Sequence, residues 1–307
     1  MITVLFSSSD WDDYKDVLPA AINRAGVDVR VVTEADPEEV DYVVYAPDSD
    51  VQDFTPYTRT KAVLNLWAGV ENVVGNRTLT QPLARMVDPG LTEGMVEWCV
   101  GHTLRHHLGM DRDITRSDAV WAPKAPPLAR SRRVTILGLG ELGREVGQAL
   151  HALNFPVTGW SRTQKDIAGL DCLSGDEGLA RALARADILI LLLPQTGDTL
   201  NILDAARIAQ MPEGAVVINP GRGPLIDDDA LLAALGSGQI SHATLDVFRI
   251  EPLPKDHPYW AHPNVTVTPH IASATRPESA SEIIAENIRR GEAGEPFIFL
   301  VDRDAGY

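Results

Sequence analysis

The stretch Val134-Thr135-Ile136-Leu137-Gly138-Leu139-Gly140-Glu141-Leu142-Gly143 decides the fold. Four apolar residues read as a buried strand, three glycines follow at the spacing G-x-G-x-x-G, and a helical pattern opens at Glu141. Strand, glycine turn and helix in that order suit the pyrophosphate of a dinucleotide. Gly138 permits the tight turn, Gly140 lets a phosphate approach the backbone, and Gly143 lets the helix pack on the strand. The helix N-terminus offers unpaired amides to the phosphates. Glu141 suits that helix end through the dipole and is read as facing solvent.

Outward from this stretch, apolar strands alternate with helical patterns along nearly the whole chain, which predicts the α/β class with parallel sheets. Before it, strands are expected at Ile2–Ser7, Val27–Thr33, Asp41–Ala46 and Ala62–Leu66, then a helix over Leu91–Leu108. From it onward, six strands are expected at Arg133–Leu137, Val157–Trp160, Asp187–Leu193, Ala215–Asn219, Ala243–Val247 and Val265–Thr268. Helices between them include Glu141–Leu153 and Asp227–Leu235, and a last helix covers Pro277–Arg290. Six strands with right-handed crossovers make a complete dinucleotide-binding sheet.

A chain of 307 residues is long enough for two domains. Its formal charge of -16, from 43 acidic and 27 basic side chains, disfavours nucleic acid and anionic membrane as partners. Cys99 and Cys172 match no metal-ligand spacing and read as buried free thiols of a reducing compartment. The N-terminus runs from an apolar strand into Ser7-Ser8-Ser9-Asp10 and does not resemble a signal peptide. No apolar run is long enough to span a bilayer, so a cytoplasmic protein is expected. His102, His106 and His107 read as a polar helix face, and no metal site is expected.

The strand expected at Val157–Trp160 ends in Ser161-Arg162-Thr163, with Lys165 beyond. A site for NAD(H) normally has an acid here to accept from the ribose hydroxyls; this chain has groups that donate to a 2′-phosphate. NADP(H) is therefore the expected cofactor, with NAD(H) as the alternative. Three more residues carry the chemistry. Arg222, in Asn219-Pro220-Gly221-Arg222-Gly223, sits just past a strand, where a guanidinium can grip a carboxylate by two parallel hydrogen bonds. His270 follows another strand at Thr268-Pro269-His270, and Glu251 lies in the loop after the strand before it. A carboxylate beside imidazole favours the charged ring, which can then donate a proton to a carbonyl oxygen as hydride arrives at carbon.

Together the runs Gly138–Gly143, Ser161-Arg162, Leu193-Pro194, Asn219–Gly223, Asp246-Val247-Phe248, Glu251-Pro252-Leu253-Pro254, Thr268–Ala272, Thr275-Arg276-Pro277 and Val301–Tyr307 resemble the D-2-hydroxyacid dehydrogenase family over nearly the whole chain. The resemblance implies two doubly wound, Rossmann-like domains with the active site in the cleft between them. One domain comprises residues 1–97 with 277–307 and binds substrate; the other, 98–276, binds NADP(H). It implies reduction of small 2-oxo acids, glyoxylate and hydroxypyruvate foremost, by a homodimer. Arg222 would bind substrate, Glu251 would assist, and His270 would be the acid/base. The cofactor would be lined by Gly138, Gly140, Glu141, Leu142, Gly143, Ser161, Arg162, Thr163, Lys165, Leu193, Pro194, Thr199, Asn219, Pro220, Gly221, Asp246, His270 and Ala272. The substrate would meet Tyr45, Trp67, Ala68 and Gly69 besides Arg222 and His270. Trp67, Glu71 and Tyr45 depart from the family's commoner residues and leave the substrate range open. A reductase of phenylpyruvate or a branched 2-oxo acid is one alternative, and a dinucleotide-sensing binding protein is another. Substitution Arg162→Glu should reverse or erase the NADPH preference; an unchanged NADPH/NADH ratio of kcat/KM would refute that role.

Overall fold

The computed structural model describes residues 1–303 and Gly306; of the C-terminal run quoted above, Asp304, Ala305 and Tyr307 lie outside the described residues. The chain divides into two compact units, Met1–Leu91 with Ala274–Tyr307, and Thr92–Ser273.

In the first unit, β1 (Ile2–Ser7), β2 (Val29–Val32), β3 (Tyr42–Tyr45), β4 (Ala62–Asn65) and β5 (Leu83–Ala84) run parallel in the order β2-β1-β3-β4-β5. β3 and β4 are buried along their length, as parallel strands covered on both faces must be. The Pro277–Ala293 helix supplies Ala280, Ile284, Ala285 and Ile288 to the same core as Val4, Phe6, Leu18, Ile22 and Tyr42. Its apolar positions recur at helical spacing, so one face is buried against this sheet. Proline opens this helix, and Gly294, at φ 69°, closes it.

The second unit holds seven parallel strands: β6 (Val134–Leu137), β7 (Val157–Ser161), β8 (Asp171–Ser174), β9 (Ile188–Leu191), β10 (Ala215–Asn219), β11 (Ile240–Leu245) and β12 (Val265–Val267). Their order is β12-β11-β10-β9-β6-β7-β8. Two α/β units with parallel sheets are thus what the alternating pattern predicts. The order reverses between β6 and β9, and ligands in such sheets bind beside the carboxyl ends at that reversal. β8 is one strand more than expected. It lies at the edge, with only Leu173 buried, so it lacks the continuous apolar run that marks its neighbours.

Two further expectations need correction. Cys99 is buried but Cys172, on the edge strand, is only half-buried. The helix Pro89–Leu108 does not present a polar histidine face: His107 is buried against Phe155, and His106 packs on His242 of β11.

A Cβ on Gly143 would stand 1.8 Å from the Gly138 carbonyl oxygen, which is backbone and has little room to yield. Gly143→Ala should therefore destabilise the protein by about 1–3 kcal/mol. Gly236→Ala, with open space around it in the Asp228–Ser237 helix, should stabilise by about 0.5–1 kcal/mol. Urea denaturation of the two variants checks both signs.

Candidate active site

The glycine turn sits at the reversal of strand order. Gly138, at φ 108°, donates its amide to the Trp160 carbonyl at 2.8 Å. A Cβ there would come 2.4 Å from the Leu192 carbonyl oxygen, just past β9. Around Gly140 the space is open, with no atom within 4 Å of a built Cβ. Gly140 caps the Glu141–Ala152 helix without a side-chain hydrogen bond, so the first amides of the helix have no side-chain cap. Glu141 is exposed and pairs with Arg144 at 2.8 Å, away from those amides. Leu142 packs at the margin of the core and Gly143 is buried. An open backbone approach and an uncapped helix end fit a pyrophosphate.

At the end of β7, Ser161 is buried and donates its hydroxyl to the Thr163 carbonyl at 2.8 Å, so its proton shapes the turn. Arg162, Thr163 and Lys165 are exposed there. After β9, Leu193 is 8% exposed and Thr199 donates its hydroxyl to the Pro194 carbonyl at 2.7 Å, tying that loop.

β10 ends at Asn219, whose side chain builds the next turn. Its Oδ1 accepts the Gly221 amide at 3.1 Å and its Nδ2 donates to the Arg222 carbonyl at 2.9 Å. Pro220 is buried within the same turn. Arg222 Nη1 donates to the Gly221 carbonyl at 2.7 Å. A Cβ on Gly223 would lie 2.0 Å from the Phe248 carbonyl carbon. Only glycine lets the Arg222 turn touch the loop that carries Glu251. Nearby in sequence, Asp227 accepts the Ala230 amide at 3.1 Å, and Asp228 binds Arg249 at 3.1 Å and Tyr259 at 2.8 Å.

His270 and Glu251 meet. Nδ1 of His270 lies 2.7 Å from Glu251 Oε2, and Glu251 Oε1 accepts the Phe248 amide at 2.8 Å. The hydrogen bond to Glu251 raises the His270 pKa above the ordinary imidazole value, against burial and the opposing Arg222 charge, with the Glu251 and Asp246 charges adding to the rise. Burial pushes Glu251 upward, but the His270 hydrogen bond, the Phe248 amide and the charges of His270 and Arg222 hold it below the usual carboxylate range. The charge of Arg222 therefore acts on both partners.

Asp246 does something sequence reasoning missed. Its carboxylate is fully buried and accepts from the Thr268 hydroxyl at 2.6 Å, the Ile271 amide at 2.9 Å and the Ala272 amide at 2.8 Å. Its own carbonyl accepts the His270 amide at 2.9 Å. Asp246 thus holds the backbone around His270, which stands at φ 55°. The run Asp-Val-Phe flagged the residue, but only its position opposite the end of β12 shows which groups it binds.

The first-unit candidates are placed differently from one another. Tyr45 is 2% exposed and meets Phe54 edge-on, so the structure puts it in the core, where its ring has almost no open face. Trp67 is 43% exposed and is no core residue; Ala68 and Gly69 are half-buried in the same loop after β4. In the second unit, His106, Asp111 and His242 bring ligand atoms within 4.8 Å of one another. Asp111 is bound by Arg105 at 2.7 Å, and the two imidazole Nε2 atoms face Thr244 at 2.8 Å and Thr266 at 2.9 Å. A guanidinium beside the carboxylate opposes a divalent cation, and the three half-buried side chains are each engaged in a hydrogen bond.

A nucleotide turn, an arginine and an acid–histidine pair at the carboxyl ends of one parallel sheet define a dinucleotide-dependent oxidoreductase. Comparison with known proteins agrees. Residues 99–272 match the model of the D-isomer specific 2-hydroxyacid dehydrogenase NAD-binding domain. The chain is 38% identical over 288 residues to a glyoxylate/hydroxypyruvate reductase A of Serratia proteamaculans, covering 91% of each chain. A solved D-isomer specific 2-hydroxyacid dehydrogenase of Xanthobacter autotrophicus Py2, in complex with NADPH and MES, superposes with a TM-score of 0.92 at 40% identity over 100% of this chain and 99% of that one. An NADPH-dependent glyoxylate/hydroxypyruvate reductase of Sinorhizobium meliloti, in complex with NADP and sulfate, gives 0.87 at 32% identity over 100% of both chains. The chain belongs to the D-isomer specific 2-hydroxyacid dehydrogenase family, and is an oxidoreductase acting on CH–OH donors. Among the described residues, no helix is long and apolar enough to cross a membrane.

A raised His270 pKa favours the protonated ring. The pair's contribution to stability is therefore full below the unfolded histidine value of about 6.5 and is lost as pH rises through the folded value. With His270 as the proton donor, reduction should be level at low pH and decline by about tenfold per pH unit above that folded value. Glu251→Gln should move the break to lower pH in a kcat/KM profile.

Proposed function

We propose that the chain reduces small 2-oxo acids to 2-hydroxy acids with NADPH, and that glyoxylate and hydroxypyruvate are its leading substrates. The observation that carries this reading is the 2.7 Å His270–Glu251 pair under the charge of Arg222, past the carboxyl ends of the same parallel sheet that carries the glycine turn. NADPH, when bound, supplies the hydride that adds to the 2-carbon. The Gly138–Gly143 turn and the Glu141 helix end hold the pyrophosphate. Arg162 and Lys165, exposed past β7, meet the 2′-phosphate by charge, with Thr163 donating. NADPH and NADP in the descriptions of the Xanthobacter and Sinorhizobium structures support that choice.

The chain's own residues do the rest. Arg222 grips the substrate carboxylate and polarises the adjoining carbonyl. Glu251 occupies Nδ1 of His270, so Nε2 is the nitrogen left to give its proton to the carbonyl oxygen. Glu251 also stabilises the imidazolium before the transfer and orients its ring. In the first unit, backbone amides near Ala68 and Gly69 receive the substrate carboxylate, and Trp67 limits its size. The glyoxylate/hydroxypyruvate reductase names of the Serratia and Sinorhizobium relatives support the substrate class.

A steady-state screen of 2-oxo acids with NADPH and NADH tests the reading. Glyoxylate and hydroxypyruvate should give the highest kcat/KM, and NADPH should be favoured. His270→Gln should lower kcat by about 100- to 10,000-fold, and Arg222→Gln should cost about 10- to 100-fold in kcat/KM. NADPH binding without turnover of any small 2-oxo acid would overturn it.

A further inference from the structure

In the first unit, the loop after β4 is tied down through its carbonyl groups. The Leu66 carbonyl accepts the Thr275 hydroxyl at 2.9 Å. The Trp67 carbonyl accepts the Met86 amide at 3.1 Å and Asn65 Nδ2 at 2.8 Å. The Gly69 carbonyl accepts the same Asn65 Nδ2 at 2.9 Å. Asn65 is the last residue of β4, opposite Tyr45 of β3, and is 1% exposed. Its amide orientation follows from its partners, since two carbonyl oxygens can only be met by the NH2 end. Its Oδ1 is buried and has no partner among the described residues, so the amino end is the working end.

This arrangement has a directional consequence. A trans peptide points its C=O and N–H in opposite directions. Holding the Trp67 carbonyl toward Asn65 turns the Ala68 N–H away from it. Holding the Gly69 carbonyl in the same way turns the Val70 N–H away as well. Among the described residues, no protein acceptor takes either amide. One buried carboxamide therefore fixes two peptide units, two residues apart, and turns the N–H of each away from itself.

We propose that Asn65 is a positioning residue, whose NH2 group pins the Trp67 and Gly69 carbonyls and so presets the Ala68 and Val70 amides to receive the carboxylate of the substrate. The assignment rests on the 2-oxo acid reductase reading given above. Asn65 itself does not touch the substrate. Asparagine suits the position because its forked amino end reaches two carbonyls at once; a carboxylate of the same shape would face both with like charge.

The test compares wild type with Asn65→Ala, Asn65→Asp and Asn65→Ser, each first shown to be folded by circular dichroism. Four quantities are read: KM for glyoxylate, KM for glycolaldehyde as a substrate without a carboxylate, KM for NADPH, and the calorimetric Kd of oxalate on the NADP-saturated enzyme. Asn65→Ala should raise the glyoxylate KM and the oxalate Kd by about 10- to 100-fold, since donors to a charged acceptor are lost. Asn65→Asp should be worse, and Asn65→Ser milder. The KM values for NADPH and glycolaldehyde should not move. Wild-type oxalate affinity in folded Asn65→Ala, or an equal loss on glyoxylate and glycolaldehyde, overturns the assignment and leaves the reductase reading standing. A wild-type enzyme that neither reduces glyoxylate nor binds oxalate overturns both. If Asn65→Ala and Asn65→Asp do not fold, Asn65→Ser decides alone: an unchanged oxalate Kd in that variant overturns the assignment.

Discussion

A carboxylate sealed from water must find donors, and Asp246 finds them in the backbone just past β12: the Thr268 hydroxyl and the Ile271 and Ala272 amides, all within 2.9 Å. Because Asp246 follows β11 and its donors follow β12, the ends of two neighbouring strands are locked at one point. His270 lies between those donors, so its left-handed backbone is held by bonds on either side. That backbone determines where the ring can reach, and the ring reaches Glu251. The acid–histidine pair is thus a consequence of a buried charge one residue beyond a strand.

The electrostatics are local. The chain carries a formal charge of -16, yet basic side chains follow β7 (Arg162 and Lys165) and β10 (Arg222), and His270 follows β12. At physiological salt, exposed charges farther than about 8 Å are largely screened, so a net negative surface does not repel an anion already in place. The partly covered pairs matter more. Arg222 opposes protonation of His270 while Glu251 favours it, and the nearer hydrogen bond prevails.

How far the site could be read in advance depended on whether a residue's role is local. The glycine turn announces itself because strand, turn and helix are contiguous. Arg222, Glu251 and His270 each follow an apolar strand, and parallel strands bring such ends to one edge. Buried strands were legible by their unbroken apolar runs, as in Ile188–Leu191. β8 was not, because an edge strand with one buried residue carries no such run, and β5 spans only two residues. Tyr45 is expected to meet substrate, but β3 is buried along its length and the Tyr45 ring packs edge-on against Phe54. Asn65 and Asp246 work through backbone groups, and no side-chain pattern reports which carbonyls or amides will lie beside them. The histidines of Pro89–Leu108 looked polar, yet β11 covers His106 with His242.

The first unit is built from both ends of the chain, and that has a price during synthesis. Its sheet emerges early, but the Pro277–Ala293 helix that completes its core comes after the entire second unit. At about 5–20 residues per second the wait is roughly ten to forty seconds. Through that interval Val4, Phe6, Leu18, Ile22 and Tyr42 lack the apolar side chains that will cover them. A chain that terminates before Pro277 would leave that apolar face without its covering helix.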